Sequence, residues 1–393
     1  MSIASIKLCP QDQCTGCLVC KASCNHDAIK EVMNEEGFIY PQIQNDACKV
    51  CHVCENVCPV LHPFVKNAQG NTYAAFALND EIRKTSSSGG LFGAFALQVL
   101  SEGGKVVGAS MDNTGYVNHI IIDSKEQLSL LQGSKYVQSY ISERVYHEIR
   151  QYLRQNIKVL FCGTPCQVAG IKKYIKTNEE NLYTIDIVCH GVPSPSLFAA
   201  VYKVIKLKMP NMLAYNFRDY KNWLVCSSVN VNVNVNGQVV NRPLYGKCTF
   251  YQDAFLKGFI HRENCYSCPY ASKERVGDIT LGDFWGIGRT KYFSQDIRNG
   301  CSLVIVNSER GQELFGKIQD KVFCEERDIQ ETIDGGNEQL VKSSCKPSAR
   351  NTFYKDFHQH GMDYVIKKYH LNLKKKKSLA KKLMSTIKKM ICY

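Results

Sequence analysis

The spacing of apolar residues changes along the chain and divides it into segments. Residues 1–62 carry many cysteines and little apolar periodicity, which indicates a small domain organised by bound metal. A linker is predicted at 63–72, where polar residues predominate. From residue 73 onwards strand-like and helix-like apolar patterns alternate, which is typical of an α/β domain with an N-terminal part, 73–155, and a C-terminal part, 156–345. A basic tail, 346–393, follows.

Several elements of the α/β domain can be predicted from the pattern. Tyr73–Leu78 and Lys105–Ala109 are predicted strands, and Leu91–Leu100 between them is a predicted helix. Further along, valine alternates with asparagine over Val229–Val235 and leads into Asn236-Gly237, which predicts a half-buried strand and a hairpin.

Two strand–loop–helix units place cysteine directly after a strand. Val159–Phe161 leads into Cys162-Gly163-Thr164-Pro165-Cys166, and Ile185–Val188 leads into Cys189-His190-Gly191. In the second unit Ser194 is placed to cap the helix that follows. Because ligands of open α/β sheets bind at the carboxyl ends of the strands, both loops are candidate site loops.

The cysteine count points to metal in a reducing compartment. The chain has 20 cysteines in 393 residues, and it begins without the charged and apolar regions of a signal peptide. It contains no apolar run long enough to span a membrane. We therefore expect a cytoplasmic protein whose cysteines bind metal rather than form disulfides.

Eight cysteines form two copies of one motif, C-x2-C-x2-C-x3-C, and the segment resembles the bacterial two-cluster ferredoxins. In that spacing the first three cysteines of each run ligate one [4Fe-4S] cluster and the fourth ligates the other. Structural zinc is the alternative, but zinc has no use for a third cysteine at the next two-residue step. The predicted ligand sets are Cys14, Cys17, Cys20 and Cys58 for one cluster, and Cys48, Cys51, Cys54 and Cys24 for the other.

Four more cysteines form a set only if the fold brings them together. They are Cys166 and Cys189 in the two strand-end loops, and Cys265 and Cys268 in a C-x2-C loop. Spacing alone leaves zinc, an iron–sulfur cluster and unrelated buried thiols all open. Cys9 and the other remaining cysteines are interpreted as plain thiols.

Five motifs beyond residue 73 occur in a recognisable order: Ser86–Gly90, Gly133–Ser139, Phe161–Gln167, Cys189–Ser194 and Gly277–Gly286. Over about residues 73–310 the chain resembles the family of coenzyme F-420 hydrogenase/dehydrogenase beta subunits. The resemblance implies an α/β (α+β) flavin and iron–sulfur domain, preceded here by a small ferredoxin-like dicluster domain. It also implies bound FAD beside a [4Fe-4S] cluster, which makes the set of four cysteines a third cluster.

The resemblance further implies residues for the flavin. The turn before the predicted helix would offer backbone N–H groups to the FAD pyrophosphate, and Lys135 would offset negative charge on reduced flavin. For each residue a purely structural role, such as a helix cap or a core tyrosine, is the alternative. The cofactor-binding residues would be Ser87, Ser88, Gly89, Gly90, Lys135, Tyr136, Asp283 and Trp285, with Asp278 beside them, and the catalytic ones Lys135, Tyr136 and His190.

Positive charge is concentrated at the C-terminus. Of the net charge of +13, ten lysines between Tyr364 and Tyr393 supply all but three. The nearly neutral body does not indicate nucleic-acid binding. Apolar residues recur every four positions among these lysines, at Leu379, Leu383, Ile387 and Ile391, which predicts a short basic amphipathic helix. Weak peripheral contact with the inner face of a membrane is expected from such a helix, and a solvated tail is the alternative.

The predicted function is that of an iron–sulfur flavoprotein oxidoreductase. FAD would exchange two electrons with an organic substrate, and the clusters would pass single electrons to or from an external carrier, ferredoxin-like or deazaflavin. One alternative is an electron-input subunit of a larger hydrogenase/dehydrogenase-type complex with no substrate of its own. An alternative of another class is a structural iron–sulfur scaffold protein.

Overall fold

Residues 6–176, 180–218, 223 and 229–371 are described by a computed structural model of the protein. The strands within these ranges are β1 Ile29–Met33, β2 Ile39–Ile43, β3 Asn71–Ala77, β4 Lys105–Met111, β5 Val117–Ile122, β6 Val159–Gly163, β7 Leu182–Ile187, β8 Met212–Asn216, β9 Asn230–Val235, β10 Gln238–Pro243, β11 Ile279–Asp283, β12 Ser302–Val306 and β13 Val322–Glu326. The α-helices are α1 Val19–Ala22, α2 Val53–Asn56, α3 Asp80–Lys84, α4 Leu91–Ser101, α5 Leu128–Leu131, α6 Glu143–Arg154, α7 Pro165–Ile175, α8 Pro195–Lys208, α9 Phe250–Leu256, α10 Glu309–Gly316, α11 Ile329–Gly335 and α12 Arg350–Lys368.

A mixed sheet of eight strands, in the order β13-β3-β12-β11-β7-β6-β4-β5, forms the centre of the fold. Strands β4, β6, β7 and β11 are parallel, whereas β12 is antiparallel to both β11 and β3. The carboxyl ends of β3, β4, β6, β7 and β11 therefore lie along one edge, which we call the site edge. Ser302 begins β12 at this edge, where it pairs with Asp283 and Ala75.

The predicted elements of this domain are confirmed. The strand predicted at Tyr73–Leu78 is β3, and the helix predicted at Leu91–Leu100 is α4. Ser194 caps α8, since its hydroxyl accepts the Leu197 N–H at 3.2 Å. The valine–asparagine alternation forms β9, which is joined to β10 by a tight turn.

The cysteine-rich segment contains one two-stranded antiparallel sheet, β1–β2, and the short helices α1 and α2. Its two cysteine runs share a backbone shape, because the residues on either side of the second cysteine have positive φ in both. These are Gly16 (69°) and Leu18 (60°) in the first run, and Val50 (52°) and His52 (59°) in the second. For the β-branched Val50 this conformation is strained, which marks the loop as a place where shape has a function.

The segment predicted as a basic tail begins with the packed helix α12. Phe353 and Tyr354 on this helix are buried in the core, and the backbone departs from helical geometry at Gly361. The predicted amphipathic helix around Leu379 lies outside the described residues. In the described ranges, no helix has the length and apolar character needed to cross a membrane.

Candidate functional site

Two cavities in the N-terminal domain are lined by the two predicted ligand sets. The first cavity is bordered by Cys14, Cys17, Cys20 and Cys58, together with Cys9, Cys54 and apolar side chains. The second is bordered by Cys24, Cys48, Cys51 and Cys54. Each cavity is thus bordered by three cysteines of one run and the fourth of the other, with Cys54 bordering both, which fits the ferredoxin arrangement. The described cysteines are all free thiols.

The thiols of the first cavity lie close enough to perturb one another. Burial raises the pKa of Cys17 to about 12, and the neighbouring thiols of Cys14 and Cys58 add to the rise. Cys9, which the sequence placed outside the motif, also borders this cavity, and its thiol acts to lower the pKa of Cys58. The cavity therefore contains a thiol whose position no spacing rule indicated.

The fold also brings together the four cysteines of the second set. Cys166 begins α7, Cys189 follows β7, and the other two lie in the loop before β11. Burial raises the pKa of Cys166 to about 12, with further contributions from Cys268 and Cys189. Burial also raises the pKa of Cys265, and the nearby thiols of Cys189, Cys268 and Cys166 add to the rise. We call these four residues the third cysteine site.

Helix α7 connects the third cysteine site to the first cavity. Gly170 lies one turn after Cys166, and a Cβ placed on it would be 3.2 Å from the Cβ of Cys17. The Tyr146 hydroxyl donates a hydrogen bond to the Cys17 carbonyl at 2.7 Å. Tyr270 packs in one apolar cluster with Cys17 of the first cavity and with Cys166 and Cys268 of the third cysteine site. The two sites are therefore direct neighbours.

The serine–glycine turn lies at the site edge but is bonded to the sheet. The Gly89 N–H donates to the Ser302 hydroxyl at 2.9 Å, and a Cβ on Gly89 would be 2.5 Å from the Ala75 carbonyl oxygen. Ser87 accepts the backbone N–H of Ser134 at 2.6 Å, which joins this turn to the Gly133–Ser139 motif. Close packing against the sheet thus requires glycine at position 89.

Lys135 lies next to the end of α5. Its Nζ donates to the carbonyls of Leu131 at 2.9 Å and Gln132 at 2.7 Å. Burial lowers the pKa of Lys135 to about 7. Burial likewise lowers the pKa of the neighbouring His119 to about 4, and the His119 Nδ1 has no hydrogen-bond partner among the described residues.

Arg218 joins three of the predicted flavin residues, and no sequence signal indicated it. Its guanidinium pairs with Asp283 at 2.8 Å, lies near the Tyr136 hydroxyl at 3.4 Å, and sits 5.4 Å from the Trp285 ring centroid. Trp223 stacks on Trp285 with ring centroids 5.2 Å apart and donates its indole N–H to Asp283 at 2.7 Å. The Nε of Arg218 is buried without a partner in the described part of the chain.

His190 lies beside His261, whereas Asp278 lies at the edge of the sheet opposite the site edge. The His190 ring meets the His261 ring edge-on at 5.4 Å, and burial lowers the pKa of both. Asp278 lies at the start of β11, at the edge of the sheet opposite the site. There it accepts the Thr184 N–H at 2.8 Å. The structure therefore does not bring Asp278 to the site.

Comparisons with known proteins agree with the motifs. Residues 157–332 match the profile of the family described as the C terminus of the coenzyme F420 hydrogenase/dehydrogenase beta subunit. The chain is 21% identical to one of the subunits of the F(420)H(2) dehydrogenase of Methanosarcina mazei over 328 residues, which cover 79% of this chain and 84% of that protein.

A similar solved structure is a chain of the F420-reducing [NiFe] hydrogenase complex from Methanosarcina barkeri, with 18% identity and a TM-score of 0.44 over 72% of this chain and 97% of that one. The matched profile spans all four cysteines of the third site, together with Asp283 and Trp285. The recognition made from the motifs is confirmed for the part of the chain that the family model matches: residues 157–332 are similar to the C terminus of the coenzyme F420 hydrogenase/dehydrogenase beta subunit.

Proposed function

We propose that the protein is an oxidoreductase subunit that passes electrons between a two-electron partner at FAD and one-electron carriers through three [4Fe-4S] sites. The observation that carries this proposal is the match between cavities and ligand sets. Each cavity of the N-terminal domain is bordered by the four cysteines that the ferredoxin spacing assigns to one cluster.

The first cavity and the third cysteine site support a continuous route. Cys17 packs against Gly170, four residues after Cys166 on the same helix. Iron–sulfur clusters supply one-electron transfer, and flavin supplies exchange of two electrons. The protein's own residues hold the cysteines in place and keep water out: Tyr146 fixes the Cys17 loop, and the buried Tyr270 packs with cysteines of both sites.

The proposed flavin site lies along the site edge, between the Ser87 turn and the group around Arg218. Two buried nitrogens there have no partner among the described residues, the Nε of Arg218 and the Nδ1 of His119. Such unsatisfied donors and acceptors are costly in a protein interior, so a bound polar ligand would account for them. We assign Arg218 to charge stabilisation of the cofactor and Tyr136 and Trp285 to packing around it.

The partners are proposed from the sequence relative, which is named as part of an F(420)H(2) dehydrogenase with several subunits. We therefore propose that this chain works with other subunits, with deazaflavin or another organic molecule as the two-electron partner. Weak membrane contact through residues 372–393 is a separate proposal. Sedimentation with anionic vesicles, compared with a chain that lacks those residues, tests it.

Iron analysis tests the cluster count. We expect about twelve irons per chain under anaerobic conditions, and about eight after Cys268→Ser, with FAD content unchanged. Cys324→Ser is the matched control, because Cys324 lies in β13 outside all three sites and should leave the iron content at the wild-type value. A wild-type content near eight irons that Cys268→Ser does not change would show that the third cysteine site holds no cluster.

A further inference from the structure

Arg262 is buried at the junction of the first cavity and the third cysteine site. Its Nε donates to the Cys14 carbonyl at 2.8 Å, its Nη1 to the Gln138 side-chain oxygen at 2.9 Å, and its Nη2 to the Ile39 carbonyl at 3.1 Å. Its Cζ lies 3.9 Å from the Tyr40 ring centroid. All of these partners are uncharged.

The lack of a carboxylate distinguishes Arg262 from comparable arginines. Arg262, Arg275 and Arg350 are the largest fully buried side chains of the described residues. Arg275 pairs with Asp186 at 2.9 Å, and Arg350 pairs with Glu36 at 2.5 Å. Over the described ranges, no carboxylate forms an ion pair with Arg262. Because a buried cation without an anionic partner is unfavourable, a negative charge close to Arg262 would be stabilising.

The guanidinium faces the cysteine loop of the first cavity. A Cβ placed on Gly16 would lie 2.8 Å from the Arg262 Nη1 and 2.9 Å from its Cζ, so the positive charge packs directly on the loop between Cys14 and Cys17. The side-chain oxygen of Gln138 holds the guanidinium in this position.

The backbone of Arg262 shapes the third cysteine site. Its N–H donates to the Val192 carbonyl at 2.9 Å, in the loop after Cys189, and its carbonyl accepts the Cys265 N–H at 3.0 Å. One residue thus contacts both cysteine sites, through its side chain and through its backbone.

We propose that Arg262 is the shared counter-cation of two iron–sulfur clusters, one in the first cavity and one in the third cysteine site, and that it raises the reduction potentials of both. The inference rests on the proposed function. A cluster held by thiolates becomes more negative by one charge when it accepts one electron, and a buried positive charge stabilises the reduced form more than the oxidised form. Arg262 therefore favours electron transfer across the junction between the sites.

The test is a redox titration of the anaerobic full-length protein, followed by electron paramagnetic resonance, with iron content measured for each variant. Arg262→Gln removes the charge, and we expect lower potentials for both clusters. Arg262→Lys keeps the charge and should restore potentials close to the wild-type values. The double variant Glu36→Gln, Arg350→Gln is the matched control, since it removes a buried arginine together with its carboxylate partner, keeps the net charge unchanged and should leave both potentials near wild type.

Equal potentials in the wild type and in Arg262→Gln would overturn the inference. Decreases of similar size in Arg262→Lys and in this double variant would also overturn it, because they would indicate an effect of domain contact and not of charge. If Arg262→Gln loses iron from the first cavity, the third cluster is titrated in the same variant, and an unchanged potential there overturns the inference. A wild-type protein that lacks iron at these sites would instead refute the proposed function itself.

Discussion

The ion pair between Glu36 and Arg350 joins the N-terminal segment to helix α12, and it predicts how much free energy this contact contributes. Arg350 at the start of α12 donates to both carboxylate oxygens of Glu36, at 2.5 and 2.7 Å. The arginine side chain is only 1% exposed, whereas the Glu36 side chain is 26% exposed. Removal of the carboxylate therefore leaves a buried cation behind, but removal of the cation leaves a carboxylate that water can reach.

This difference sets the magnitude of the expected effects. Glu36→Gln should weaken the contact by about 3 kcal/mol, the lower end of the cost of breaking a buried ion pair, because Arg350 keeps its bonds to the His261 carbonyl. Arg350→Met should cost roughly 1–3 kcal/mol, mainly because the His261 carbonyl loses its donor. Glu36→Gln is nearly isosteric and lies at the more exposed partner, and it is nevertheless expected to cost at least as much stability as Arg350→Met.

Native-state hydrogen exchange is the assay, since it measures local opening without complete unfolding. The Phe353 N–H, bonded to the Ala349 carbonyl at 3.1 Å in the first turn of α12, reports on this contact. A loss of about 3 kcal/mol corresponds to roughly a hundredfold faster exchange. The double variant should be less destabilised than the sum of the single variants by more than about 0.5 kcal/mol, and additivity within that limit would refute the reasoning.

Three further predictions follow from single contacts. Cys9→Ala should lower the reduction potential of the first-cavity cluster with its iron retained, whereas Cys9→Ser, which keeps a donor to Cys58, should change it less. Gly89→Ala should lower the melting temperature through a clash worth roughly 1–3 kcal/mol, whereas Gly316→Ala, with open space around it, should not. Because burial lowers the pKa of Lys135 to about 7, the unfolded state binds more protons between about pH 7 and 10. Stability in denaturant titrations should therefore rise over that interval, and the rise should be smaller in Lys135→Met.

The sequence predicted those features that are determined by residues close together along the chain. Apolar periodicity located β3 and α4 closely, and the spacing within two cysteine runs assigned eight ligands to two sets that border two separate cavities. The third cysteine site was visible only as separate loops, because its members are up to about a hundred residues apart and only the sheet brings them together.

Residues that act across long separations gave no signal. Arg218 lies 65 residues from Asp283, and neither has a motif that points to the other. Gly89 shows another case, where a recognisable motif suggested anion binding and the structure adds a second requirement, close packing against Ala75. Glycine and serine in a turn fit both roles, and anion binding by this turn stays a prediction.

The position of Arg262 makes the formation of the third cysteine site and the attachment of the N-terminal domain interdependent. Its backbone joins the loop after Cys189 to the turn at Cys265, and its side chain binds the carbonyl of Cys14. A shift of this residue would therefore change the geometry of the third site and the contact of the first cavity together. For this reason, loss of iron in a single Arg262 variant cannot show what the charge of Arg262 does. The comparison of Arg262→Gln with Arg262→Lys can show it. Both substitutions lose the forked hydrogen bonds, but only one loses the charge.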